Sequence, residues 1–138
     1  EAMETCMEAA QTGHLVLSTL HTTGAVKTMG RILEMYPREN HPAVLNRLSE
    51  ILIFIHSQGL LSGVNGRVLT YEFLQNSDDA TSSAIGSYDK GARALEDVIK
   101  RSGNIAWDDK LLSLLNEGKI SQETFENARI HREDTEYV

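Results

Sequence analysis

Thr19, His21 and Thr22 gather two hydroxyls around an imidazole within four residues. Such a group can donate hydrogen bonds to phosphate oxygens, or exchange them with an ordered water. Its position follows from the stretch Thr12-Gly13-His14-Leu15-Val16-Leu17-Ser18-Thr19-Leu20-His21-Thr22-Thr23, which reads as a helix stop, an apolar strand and a polar cluster at the strand's far end. In an α/β domain a buried parallel strand delivers side chains to the crevice beyond its carboxyl end, where ligands bind. The bland reading is a histidine hydrogen-bonded for structural reasons at a strand end. A metal site is not expected. His14 and His21 are seven residues apart, so a regular strand sends them to opposite faces, and Cys6 has no CxxC partner.

The other chemistry-bearing residues read more simply. Gly86-Ser87-Tyr88-Asp89-Lys90-Gly91-Ala92-Arg93 has two glycines at phosphate-loop spacing, but Ala-Arg stands where Lys-Ser/Thr belongs and no hydrophobic strand precedes it. It reads as a loop leading into a helix. Glu4 and Glu8 form a solvated helix face, and Asp108-Asp109 a helix start. Arg31 and Arg47 lie near the polar edges of their helices, either solvated or reaching a neighbouring subunit's phosphate. No Ser-His-Asp or Cys-His order marks a nucleophile.

Composition narrows the class. The chain has 138 residues, 41% hydrophobic and 24% charged, which suits about one globular domain. Its net charge of −7 and scattered Lys and Arg argue against a nucleic-acid surface. A single Cys6 excludes an internal disulfide and fits a reducing cytosol. The longest apolar run, Ile51 to Ile55, is far short of a membrane span, and no signal-peptide pattern opens the chain. Glu1 falls inside a running helix with no Met before it, so the sequence reads as part of something longer.

The positioning elements follow from apolar periodicity. Met3, Met7 and Ala10 make a helix closed by Thr12-Gly13, and His14 to Leu20 a strand covered on both faces. Thr22 or Thr23 caps a helix on Val26, Met29, Leu33 and Tyr36 that Pro37 stops. Asn40-His41-Pro42 opens a third, running to about His56 on Val44, Leu48, Ile51, Leu52 and Ile55. Leu52→Asp is therefore expected to unfold the domain. Leu60-Leu61 and Arg67 to Leu74 flank Asn65-Gly66, a hairpin signal that sets residues 60–74 as an antiparallel ribbon. Ser77 to Ser87 reads as a loop or irregular helix. Ala92–Lys100, Asp108–Asn116 and Ser121–Ile130 read as short helices, with Asp108 and Ser121 as caps, and a charged tail follows His131.

Collinear motifs resemble those of the PilT-like type IV pilus retraction and type II/IV secretion ATPases. The family's Ala-Ala-Glu-Thr-Gly-His, then Thr-Leu-His-Thr, is similar to Ala9-Ala10-Gln11-Thr12-Gly13-His14 and Thr19-Leu20-His21-Thr22. Its Arg-Ile-Ile-x-x-Phe-Pro resembles Arg31-Ile32-Leu33-Glu34-Met35-Tyr36-Pro37. Leu48-Ser49-Glu50-Ile51-Leu52, Ser57-Gln58-Gly59-Leu60-Leu61 and Gly66-Arg67-Val68-Leu69-Thr70-Tyr71-Glu72-Phe73 continue the likeness. It covers Glu1 to about Leu74.

The resemblance implies an α/β fold: a partial RecA-like core without its P-loop, with an antiparallel hairpin and a helical C-terminal subdomain, divided at residues 1–76 and 77–138. Residues 12–23 would be the histidine box, with His21, Thr19 and Thr22 catalytic and His14, His21 and Arg31 touching the nucleotide. ATP and Mg²⁺ would be the cofactors of the intact protein. Its subunits would form a hexameric ring at the cytoplasmic side of a bacterial inner membrane, working on a pilus or secretion platform protein. The family's Walker A, aspartate box and Walker B would lie upstream of Glu1, so this chain alone is expected to bind no ATP tightly and hydrolyse none. The retraction element Ala-Ile-Arg-Asn-Leu-Ile has only the shadow Ala94-Leu95-Glu96-Asp97-Val98-Ile99, which leaves secretion and conjugation open. The four-cysteine zinc module of extension ATPases is missing. A non-catalytic interaction module of the same machinery is the alternative.

Overall fold

The computed structural model describes residues 2–101 and 103–130; Glu1 and the tail from His131 lie outside them. Helices α1 (Ala2–Gln11), α2 (Ala25–Leu33) and α3 (His41–Ile51) lead into a ribbon of β1 (Phe54–Gly63) and β2 (Gly66–Gln75). Helices α4 (Asp79–Gly86), α5 (Arg93–Ile99), α6 (Trp107–Asn116) and α7 (Gln122–Ala128) follow.

The end of α1 is as its sequence suggests. Gly13 takes φ 90°, Gly13 N–H donates to Ala10 O and His14 N–H to Ala9 O, both at 3.1 Å. These are the paired bonds of a glycine-terminated helix. The strand expected over His14–Leu20 is absent. The segment has no ladder partner, and Leu15 and Leu17 are 75% and 78% exposed. A strand meant for burial on both faces needs neighbours, and the sheet among the described residues contains only β1 and β2.

Helix α3 stops at Ile51 instead of reaching His56. Leu52 turns to φ −68°, ψ 125°, and from Phe54 the burial alternates residue by residue. The run Ile51–Ile55 fits either period, and the choice is made from afar. The Asn76 amide donates to Ser49 O and Leu52 O at 3.0 and 2.8 Å, and the Ser82 hydroxyl to Ser49 O at 2.9 Å, holding the helix's last carbonyls. Leu52 is only half-buried, so the severe site on α3 is Leu45, fully enclosed.

The ribbon is longer than 60–74, pairing Phe54↔Gln75 through Gly63↔Gly66. Its turn centres on Val64 and Asn65, with the positive φ (106°) at Gly66 and at no non-glycine residue. Asn65-Gly66 therefore signals the hairpin without forming the mirror-image turn it suggests. On the inner face, Ile55↔Leu74 and Leu61↔Val68 are apolar, while Ser57↔Glu72 and Gly59↔Thr70 between them are not. Two cores divide along this face. Met7, Met29, Leu45, Leu48, Ile85 and Leu95 belong to the cluster that takes Ile55 and Leu74. Trp107, Leu111, Leu114 and Ile120 form the other, packed by Leu61 and Val68. A Cβ on Gly59 would lie 2.8 Å from Trp107 Cη2. Gly59→Ala is expected to destabilise the chain by about 1–3 kcal/mol. It should also shift the emission of the single tryptophan; an unchanged melt and spectrum would refute this contact.

Residues 79–86, read as loop or irregular helix, form α4. Asp78 caps it, its Oδ1 accepting the Thr81 N–H at 2.7 Å, and Thr81, Ala84 and Ile85 supply a buried face. Ser121 caps α7 as expected. Asp108 does not cap α6, whose preceding residue is Ala106; its Oδ1 instead accepts the Ile130 N–H at 3.0 Å. The glycine-flanked stretch 86–93 spans the end of α4, a 3-10 turn at Tyr88–Lys90 and the start of α5.

Candidate functional site

Segment 14–24 runs from the end of α1 to the start of α2, and the proposed box lies along it. At its entrance the exposed His14 ring folds back on α1, with Nδ1 3.2 Å from both Thr12 Oγ1 and Ala9 O. Thr12 Oγ1 itself lies 2.9 Å from Ala9 O and 3.1 Å from Glu8 O, so its hydroxyl hydrogen points at a carbonyl. Ala9 O can only accept, so in that contact the hydrogen sits on Nδ1. Thr19 and His21 are exposed and hydrogen-bond no described residue. Thr22 is half-buried, its hydroxyl 2.8 Å from that of Thr28, which donates to Gly24 O at 2.9 Å. Arg31 is paired with Glu34 at 2.8 Å, both side chains exposed. None of His14, His21 and Arg31 bonds another.

Neither Thr22 nor Thr23 caps α2. Gly24, at φ 88° and ψ 151°, holds that place. The Gly24 N–H donates to Ser57 Oγ at 3.0 Å and the Ala25 N–H to Glu72 Oε1 at 2.6 Å. A carboxylate thus occupies the end of α2, where a phosphate would otherwise find free amides. The sequence reading passed over Glu72 and Ser57. The available signal was β2's alternation Val68, Thr70, Glu72, Leu74, which turns a charged residue inward.

Arg47, weighed as solvated or as a reach to a phosphate, is bound within the chain. Its Nη1 donates to Glu4 Oε1 at 2.6 Å, and Nε and Nη2 donate to Gln11 Oε1 at 3.1 and 2.9 Å. Tyr36 OH donates to Glu4 Oε2 at 3.3 Å. The Arg47 hydrogen bond holds Glu4 below its ordinary value of 4.5, with Tyr36 adding to it and burial opposing. A lowered carboxylate pKa contributes stability above the unfolded value and loses it as pH falls through the folded one. Glu4→Gln should lower the thermal midpoint at pH 7, and the gap to the wild type should close below pH 4.5. A gap that does not narrow at all as the pH falls below 4.5 would contradict this pairing.

Among the described residues no group of three or more His, Cys, Asp or Glu side chains is gathered, and no helix is long and apolar enough to cross a membrane. What the box segment presents is hydroxyls and imidazoles without a carboxylate on residues 14–23. Such a set can donate hydrogen bonds to an anion's oxygens.

Comparison with known proteins agrees with this architecture. Residues 1–106 match the type II/IV secretion system protein family, and the chain belongs to that family. More particularly, its matches lie in the PilT-like type IV pilus ATPase branch of that family. It is 35% identical over 125 residues to the twitching motility protein of Neisseria gonorrhoeae, covering 89% of this chain and 33% of that protein. It is 41% identical over 75 residues to the type IV pilus retractation ATPase PilT of Pseudomonas aeruginosa, covering 54% and 22%. The crystal structure of the pilus retraction motor PilT with bound ADP superposes with a TM-score of 0.81 at 34% identity, over 94% of this chain and 36% of that one. The Legionella pneumophila ATPase DotB, at 24% identity and a TM-score of 0.76, shares the fold. The chain is thus a mixed α/β unit with an antiparallel hairpin, spanning about a third of the length of the twitching motility protein.

Proposed function

We propose that this chain supplies the histidine-box strand and the helical C-terminal part of a hexameric motor ATPase. Its ATP turnover drives pilus retraction or a related secretion or conjugation step. One observation supports the reading: among the described residues the apolar segment 14–20 lies without a sheet partner, and Thr19 and His21 at its end hydrogen-bond none of them. Leu15, Leu17, Ile53, Phe54, Leu60 and Leu69 are all exposed, a large apolar area for a finished surface. In the proposed assembly the remainder of the ATPase core pairs with 14–20 and covers these side chains.

Thr19 and His21 then hydrogen-bond the terminal phosphate of ATP, Thr22 steadies the segment through Thr28, and His14 leads the segment toward the nucleotide. Arg31 reaches outward toward a neighbouring subunit. Bound ATP with Mg²⁺ supplies the phosphoryl group whose loss removes the contact to His21. The division at residue 76 is functional, nucleotide-facing before and partner-facing after, since the apolar core runs across it into α4 and α5. The partner is a pilus or secretion platform protein at the cytoplasmic face of a bacterial inner membrane. In the alternative, a non-catalytic interaction module, the box would be kept as fold; the exposure of Thr19 and His21, which bond no described residue, disfavours that.

A chimera tests the pairing: residues 1–138 replace the matching third of the gonococcal twitching motility protein. Amides 14–20 are expected to exchange freely in the 138-residue chain and slowly in the chimera. Equal, fast exchange in both would overturn the reading.

A further inference from the structure

We infer that Glu72 is a positioning residue that ties the end of the histidine-box segment to the C-terminal helices, so that a displacement of one is passed to the other. Glu72 lies on the inner face of β2, only 4% exposed, between the two apolar cores. Its Oε1 accepts the Ala25 N–H at 2.6 Å and its Oε2 accepts the Trp107 N–H at 3.2 Å. Ala25 and Trp107 are the first residues of α2 and α6. Each helix N-terminus is equivalent to about half a positive charge, so two of them match one carboxylate.

The two oxygens sit on one carbon at a fixed separation. A shift of α2 that carries Oε1 along must therefore draw Oε2 from Trp107 or bring α6 with it. Ala25 is 1% exposed and Trp107 5%, so no water stands ready to replace a broken bond. Trp107 is held at its far end as well, its indole N–H donating to Ala128 O at 2.8 Å. Ala25 is four residues beyond His21. A movement of the box therefore meets the C-terminal helices through Glu72. The coupling is a property of this chain and does not depend on whether His21 meets a phosphate.

Residue-resolved hydrogen exchange on the 138-residue chain tests it by non-additivity. Trp107→Phe removes the indole bond and keeps the backbone N–H. It is expected to speed exchange at Gly24 and Ala25 by about tenfold. In the Glu72→Gln background, where one oxygen no longer accepts, the same substitution should add little to exchange at those amides. Equal acceleration in both backgrounds, or none in the wild type, would overturn the proposal. Should Glu72→Gln fail to fold, Ala25→Pro serves instead, since proline suits the first helical position and removes the Ala25 donor. It is expected to speed exchange of the Trp107 amide, and an unchanged Trp107 amide would refute the coupling.

Discussion

Leu45→Asp is expected to abolish cooperative folding of the chain. Leu45 is fully enclosed at the middle of α3, in the cluster that joins α1 through α5 to the ribbon. Truncation to Ala alone costs about 2–5 kcal/mol in such a place, and an unpaired buried carboxylate costs several more. Against a total of roughly 5–15 kcal/mol this leaves no native state. Leu52→Asp is the control, because Leu52 is half-buried beyond the helix end and its new carboxylate has a path to water. Thermal melts followed by circular dichroism separate the two. A cooperative transition within a few degrees of the wild type in Leu45→Asp would refute the core described here.

The second large effect falls on function. In the chimera, His21→Ala is expected to lower ATP turnover by about a hundredfold, the scale of removing one preorganised donor to developing charge. ATP binding should stay largely intact, and the melting curve unchanged, because His21 is exposed and bonds no described residue. A loss of stability equal to the loss of rate would assign His21 a structural role. Unchanged turnover would remove it from the site.

The helices were legible where an apolar stripe met a local terminator. Met3, Met7 and Gly13 mark α1; Leu111, Leu114 and Gly118 mark α6 and its end. The hairpin was legible through Asn65-Gly66, although Gly66 rather than Asn65 takes the left-handed conformation. Features set by distant residues were not. Nothing near Ile51 announces that Asn76 will close α3 there, so a run fitting both periods was assigned to the helix. The hydroxyl-rich stretch 79–86 becomes helical because Asp78 caps it and Ile85 is buried. The segment 14–20 has the composition of a buried strand, yet a strand exists only beside another, and none of the described residues supplies one.

The site divides along the same line. Thr19, His21 and Thr22 were picked out by type and spacing, sharpened by family resemblance. What holds them in place was invisible, because Glu72 and Ser57 reach Ala25 and Gly24 across 47 and 33 residues of chain. Arg47 shows the converse. It was weighed as a phosphate contact because its helix position is polar, while Glu4 and Gln11, on another helix, bind it.

The central claim, that these residues are the box-bearing third of a motor ATPase, is tested most directly by ATP turnover of the 138-residue chain beside the chimera. The account predicts no turnover by the chain alone and sustained turnover by the chimera. Hydrolysis by the chain alone, or a folded chimera that neither binds nor hydrolyses ATP, would contradict it.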